Sequence, residues 1–108
     1  MIEVVVYETE AGKRPFSAWF NDLDPHAAAK VKKAVDRMED GNFGDVKPVG
    51  SGVSETRLAY GPGYRIYFGR DGQTIVVLLG GGTKVRQSRD IENAQLAWAN
   101  YKRRKKRN

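Results

Sequence analysis

Two arginines, Arg57 and Arg65, stand in the run SETRLAYGPGYRIYF, Ser54 to Phe68, where β-forming residues flank a Gly-Pro-Gly turn. The guanidinium is a planar fork of donors that meets two phosphate oxygens at once, which makes paired arginines a natural phosphate clamp. Successive side chains on a strand point to opposite faces. If Tyr60 pairs with Tyr64 across the turn, Leu58 faces Ile66 and Thr56 faces Phe68 on one side, while Glu55, Arg57, Ala59, Arg65 and Tyr67 share the other. That register predicts Arg57 opposite Tyr67 and Arg65 diagonal to Arg57, a cationic outer face with a phenol beside it. An Arg-Glu-Arg surface cluster closed by Glu55 is the bland account of the same residues.

The chemistry this face suits is RNA cleavage without a metal. RNA carries its own nucleophile in the 2′-hydroxyl, so a base, a positive clamp for the developing phosphorane and a proton donor are sufficient. Lys47 and Lys84 lie in flanking loops that can reach the face, and neighbouring cations lower a lysine's pKa toward that of a general base. Tyr60 and Tyr67 can stack on a base or donate a proton. Arg86 follows in the loop of Lys84. Lys102 and Arg103 open the terminal run KRRKKRN, which raises general, salt-dependent affinity for RNA. Metal chemistry is a poor expectation. The chain has no cysteine, and its one histidine, His26, stands near a helix start. Asp22, Asp24, Asp36, Glu39 and Asp40 form no evident paired-carboxylate site. No metal and no cofactor are therefore expected. GPG and LLGGGTK lack the spacing of a P-loop, so a turn accounts for the first and a flexible loop for the second.

The elements that must position these residues follow from periodicity. Met1 to Tyr7 alternates as a strand. Pro15 opens a short helix to Leu23 with Phe16, Trp19, Phe20 and Leu23 on one face. Asp24 caps and Pro25 starts a second helix, striped by Ala28, Val31, Val35 and Met38 and ending near Gly41. Its opposite face carries Lys30, Lys33 and Arg37, expected to be solvated. Residues 41–53 read as a loop running into an edge strand. Then come the hairpin, a second turn at GRDG (69–72), and the doubly apolar TIVVLLG of a central strand. Ser88 or Asp90 can cap a last helix bearing Ile91, Ala94, Trp98 and Tyr101, after which 102–108 forms a basic tail. The expected fold is α+β: an N-terminal strand, a two-helix hairpin, an antiparallel three- or four-stranded twisted sheet and a C-terminal helix.

At 108 residues the chain is one domain by length. Nineteen Lys plus Arg against 13 Asp plus Glu give a net charge of +6, which suggests a polyanionic partner, nucleic acid before membrane. No apolar run is long enough for a membrane span, and MIEVVVYETE lacks the basic start of a signal peptide. A cytoplasmic location and no membrane partner are expected.

KPVGSGVSETRLAYGPGYRIYF, IVVLLGGGTK and DIENAQLAWANY, with the PFSAWF helix, resemble the toxins of type II toxin–antitoxin systems. The match is to the HigB-like addiction-module killer branch of the RelE/ParE superfamily and spans nearly the whole chain. The resemblance implies a microbial-RNase-like α+β fold and, in many members, an endoribonuclease that cuts mRNA in the ribosomal A site. A cognate antitoxin is implied as partner. By position, Arg65 matches the phosphate-binding arginine of RNA-cleaving relatives, Arg57 their basic residue on the preceding strand, and Lys84 a basic group of the post-strand loop. Lys47 corresponds loosely to a lysine ahead of the hairpin. Two departures stand out: Glu55 occupies a lysine position, and Ile91 lies near the place of a tyrosine. Glu55, Lys47, Tyr67 and Lys84 thus compete for acid–base roles. The ParE branch supplies the alternative, a toxin that binds DNA gyrase without nuclease activity, and a third reading is an RNA-binding module without catalysis. For the nuclease, Arg65→Ala is expected to abolish growth arrest with the fold intact.

Overall fold

A computed structural model describes residues 1–107. The chain runs β1 (Glu3–Val6), α1 (Pro15–Asn21), α2 (Pro25–Glu39), β2 (Asp45–Gly50), β3 (Val53–Leu58), β4 (Tyr64–Asp71), β5 (Ile75–Thr83), a 3-10 turn (Lys84–Arg86) and α3 (Gln87–Arg107). Pro15 begins α1, and Asp24 caps α2 by accepting from Ala27 N at 3.0 Å. The α+β class stands as expected.

The sheet departs from the expected three or four antiparallel strands. It has five, ordered β1-β5-β4-β3-β2, and it is mixed, because β1 lies parallel to β5 with Val4 beside Val76. Short-range periodicity marks β1 as a strand but says nothing of its partner, which lies some 70 residues on.

Helices cover both faces. On one, α1 and α2 bury Phe16, Val31, Ala34 and Met38 against Ile66, Phe68, Val76 and Leu78. On the other, α3 lays Ala94, Ala97 and Trp98 over Val53, Tyr67, Val77 and Leu79. Alternate residues of β5 thus enter different cores, which is why its sequence is apolar throughout.

Three local expectations are corrected. Gly80–Gly82 is not a flexible loop but the last part of β5, paired to Tyr67, Ile66 and Arg65. A Cβ at Gly81 would overlap the Trp19 indole, and one at Gly82 the Asp90 carboxylate. These glycines admit close neighbours rather than a bend. The run from Lys102 is not a tail: through Arg107 it forms the last turns of α3, while Asn108 lies outside the described residues. Cations suit a helix C-terminus, where the carbonyls carry partial negative charge. Ser88 and Asp90 lie inside α3 rather than at its cap, since the helix starts at Gln87.

The hairpin register is also displaced. Leu58 pairs with Tyr64, Arg57 with Arg65, Thr56 with Ile66 and Glu55 with Tyr67. Tyr60 therefore belongs to a longer connection, in which Gly63 N donates to Tyr60 O at 3.1 Å and Gly61 and Gly63 adopt positive φ. The displacement is even, so every side chain keeps its predicted face.

Candidate functional site

The hairpin places Glu55, Arg57, Arg65 and Tyr67 on the α3 side of the sheet, with Arg57 directly across from Arg65. Like charges opposite each other in a ladder are unfavourable, so each must be compensated. Asp45, opposite Arg57 on β2, accepts from its Nη2 at 3.0 Å. Glu55 accepts from Arg65 Nη1 at 2.9 Å and from Gln87 Nε2 at 3.2 Å. The expected outer cationic face is thus partly an inner one. The first turn of α3 roofs it, leaving the Arg65 side chain 11% exposed and Glu55 fully buried, against 39% exposure for Arg57.

Donors remain uncommitted. Arg57 Nε, Arg65 Nε and the Tyr67 hydroxyl are buried atoms with no hydrogen-bond partner among the described residues. The hydrogen bond from Arg57 to Asp45 and the attraction of that carboxylate raise the Arg57 pKa further. Burial, then the charges of Glu55 and Asp90, push the Tyr67 phenol well up despite Arg65, so Tyr67 holds its proton throughout the physiological range. Burial also raises the Asp90 carboxyl, against the pull of Arg86 and Arg89.

The flanking cations divide. Lys47, exposed on β2, stands beside Glu55 in register. Lys84 opens the 3-10 turn, its Cβ 3.7 Å from where a Cβ on Gly63 would sit. Lys84, Arg86 and Arg89 line a shallow basic depression at the start of α3, formed by residues 84–89 alone, which is tied to the Arg65 face through the Gln87–Glu55 hydrogen bond.

Tyr60 does not join it. Its ring stacks on Tyr64 at 6.2 Å and lies under Lys30 Nζ at 5.3 Å, on the α2 side. Lys102 and Arg103 are also remote. Lys102 stands about 22 Å along α3 from Gln87, with Nζ 5.7 Å from the Trp98 ring. His26 is exposed at the first turn of α2.

The sequence reading missed Asp45, Gln87 and Asp90 as members of the cluster. Only the β2–β3 register could have revealed Asp45. Asp90 has a weak signal, an acid in the first turn of a helix, which the partial positive charge of the helix N-terminus favours. Chemically, the arrangement is a set of cations and uncommitted N–H and O–H donors around the buried Glu55 and the half-buried Asp90, suited to binding a phosphodiester and to stabilising added negative charge on it.

No family model matches the chain. An uncharacterized protein of Haemophilus influenzae (strain ATCC 51907 / DSM 11121 / KW20 / Rd) is 40% identical over 82 residues, which cover 75% of this chain and 83% of that protein. Identity at that level, over most of both chains, shows that this chain belongs to the same family as the Haemophilus influenzae protein.

Proposed function

We propose that the protein is the toxin of a type II toxin–antitoxin system, a HigB-like member of the RelE/ParE superfamily, and that it cleaves mRNA on the ribosome without a metal. The observation that carries this reading is the Arg57–Arg65 cross-strand pair with its uncommitted Nε donors, set beside the basic turn from Lys84 to Arg89. Two guanidinium groups opposite each other are unfavourable unless anions lie among them, and a phosphate would add to the compensation that Asp45 and Glu55 give.

Arg57 is the accessible clamp and exchanges its Asp45 partner for an RNA phosphate. Lys84 and Arg86 neutralise the charge that develops on the phosphorane. Arg65, held by Glu55, fixes the floor of the site and offers its free Nε. Proton transfer falls to the groups nearest that floor: Lys47 and Lys84 from the exposed side, Glu55 and Tyr67 from the buried side. The raised pKa keeps Tyr67 protonated, the state of a donor. A cognate antitoxin silences the toxin by covering this cationic face.

The burial of Glu55 and Tyr67 beneath α3 favours a second reading, a toxin that binds without cutting, as in the gyrase-directed branch. A translation extract separates the two. Toxin freed from antitoxin is added to a defined mRNA with and without ribosomes, and new 5′ ends are mapped. Wild type should cut only with ribosomes, and Arg57→Ala should lose at least tenfold in rate. Growth arrest with intact mRNA, and inhibition of gyrase supercoiling, would replace the nuclease with the second reading.

A further inference from the structure

A second basic surface lies on the other side of the sheet. A groove of about 350 Å³ runs between α2 and the β2–β3 end, lined by Lys30, Lys33, Arg37, Phe43, Arg57 and Tyr60, among others. The three α2 cations recur at intervals of three and four residues, so they form one stripe along the helix with roughly one turn, about 5 Å, between neighbours. Their opposition to the buried stripe of α2 suggests simple solvation, but the tertiary structure turns them along a concavity instead.

Its charge is unbalanced. Among the described residues, Lys30, Lys33 and Arg37 have no carboxylate partner, and the single acid lining the groove, Asp45, is already bonded to Arg57. An aromatic platform sits at one end: Tyr60, half-buried and stacked on Tyr64, with Lys30 Nζ over its ring, so a base that stacks there displaces the flexible Lys30 side chain toward a phosphate. Regularly spaced cations along a groove that ends in an aromatic face are the two parts of a single-strand nucleic-acid track, charges for the phosphates and a ring for a base. An acidic peptide would use the cations but not the ring. Arg57 links the two surfaces, since it lines the groove and also stands opposite Arg65.

We infer that this groove binds the backbone of single-stranded RNA, with Lys30, Lys33 and Arg37 on successive phosphates and Tyr60 stacked on a base, and leads the strand past Arg57 to the Arg65 face. The inference rests on RNA being the substrate class proposed above, but it concerns binding and not cleavage.

The test is the salt dependence of binding to a short labelled 2′-O-methyl RNA, which cannot be cut through its 2′-oxygen. Lys33→Ala/Arg37→Ala removes two exposed cations and is compared with Lys13→Ala/Arg14→Ala, which removes the same charge outside the groove, the α3 start and the terminal run. Losing two phosphate contacts should lower the slope of log K against log salt by about 1.4, and the control should change it far less. Tyr60→Ala should weaken binding about tenfold. Circular dichroism confirms that each variant is folded. Equal slopes for the groove and control variants would overturn the proposal, as would full competition by a glutamate-rich peptide with no effect of Tyr60→Ala. If the groove variants behave as expected while the extract shows no cleavage, the nuclease reading fails and the RNA track stands. If cleavage persists and the groove variants bind like wild type, the track alone is lost.

Discussion

At the residue scale, the Arg65–Glu55 pair changes what a mutation can report. Arg65→Ala leaves Glu55 buried with only Gln87 to bond it, and breaking one side of a buried pair costs about 3–5 kcal/mol. The expectation that this variant keeps its fold is therefore replaced: it should be destabilised by that amount in urea unfolding. Glu55→Met/Arg65→Met, which removes both charges, should recover most of the loss. If the single variant is as stable as wild type, Glu55 is not held as described. Arg57, more exposed and bonded to an exposed Asp45, is the cleaner probe of activity. A second residue-scale prediction concerns pH. Burial and the hydrogen bond to Asp71 raise the Tyr101 phenol to about 12, while Lys105 and then Tyr101 lower the Asp71 carboxyl. A raised folded pKa gives stability that is complete below the unfolded value of about 10 and is lost as pH climbs toward the folded one. A depressed carboxyl gives stability present above about pH 4 and lost as pH falls through the folded value. Stability should therefore fall off outside that window. Tyr101→Phe should flatten the alkaline limb in pH-dependent thermal melts, leaving the share due to Tyr67.

At the element scale, α3 is the piece that converts an open sheet face into a site. Its docking rests on Trp98, whose ring stacks on Tyr101 at 5.3 Å and lies so close to β4 that a Cβ at Gly69 would overlap it. Gly69→Ala should cost about 1–3 kcal/mol by overpacking, and Trp98→Ala about 3–5 kcal/mol by leaving a cavity. Both are readable from denaturant midpoints. Loosening α3 should also expose the Glu55–Arg65 pair, so Trp98→Ala should speed proteolysis near Gln87. The elements themselves were largely legible. Pro15, Asp24-Pro25 and the apolar stripes mark α1 and α2 by local rules, and alternation assigned the hairpin faces even with the register two residues off. Gly80–Gly82 was not legible, because glycine reads as flexibility unless one knows that Trp19 and Asp90 press against it.

At the scale of the whole molecule, the net charge of +6 is unevenly arranged. One group of cations surrounds the α3 start, another lines the α2 groove, and a third closes α3. Among the described residues, no helix is long and apolar enough to cross a membrane. The sheet predicts a gradient of local stability. β4 pairs on both sides and is covered on both faces, whereas β2 is an exposed edge interrupted by Pro48. Amide exchange should be slowest in β4 and fastest in β2, and uniform protection would contradict this layering.

The sequence by itself determined the α+β class, the starts of α1 and α2, the two faces of the hairpin and the net positive charge. Each of these depends on neighbours within a few positions, through strand alternation, helical spacing and capping. Tertiary structure alone decided that β1 joins β5, that α3 roofs the arginine face, that Glu55 and Asp45 divide the two guanidinium groups between them, and that Lys30, Lys33 and Arg37 border a groove. Those outcomes join residues tens of positions apart, where the energy of burial and pairing has no local period to betray it.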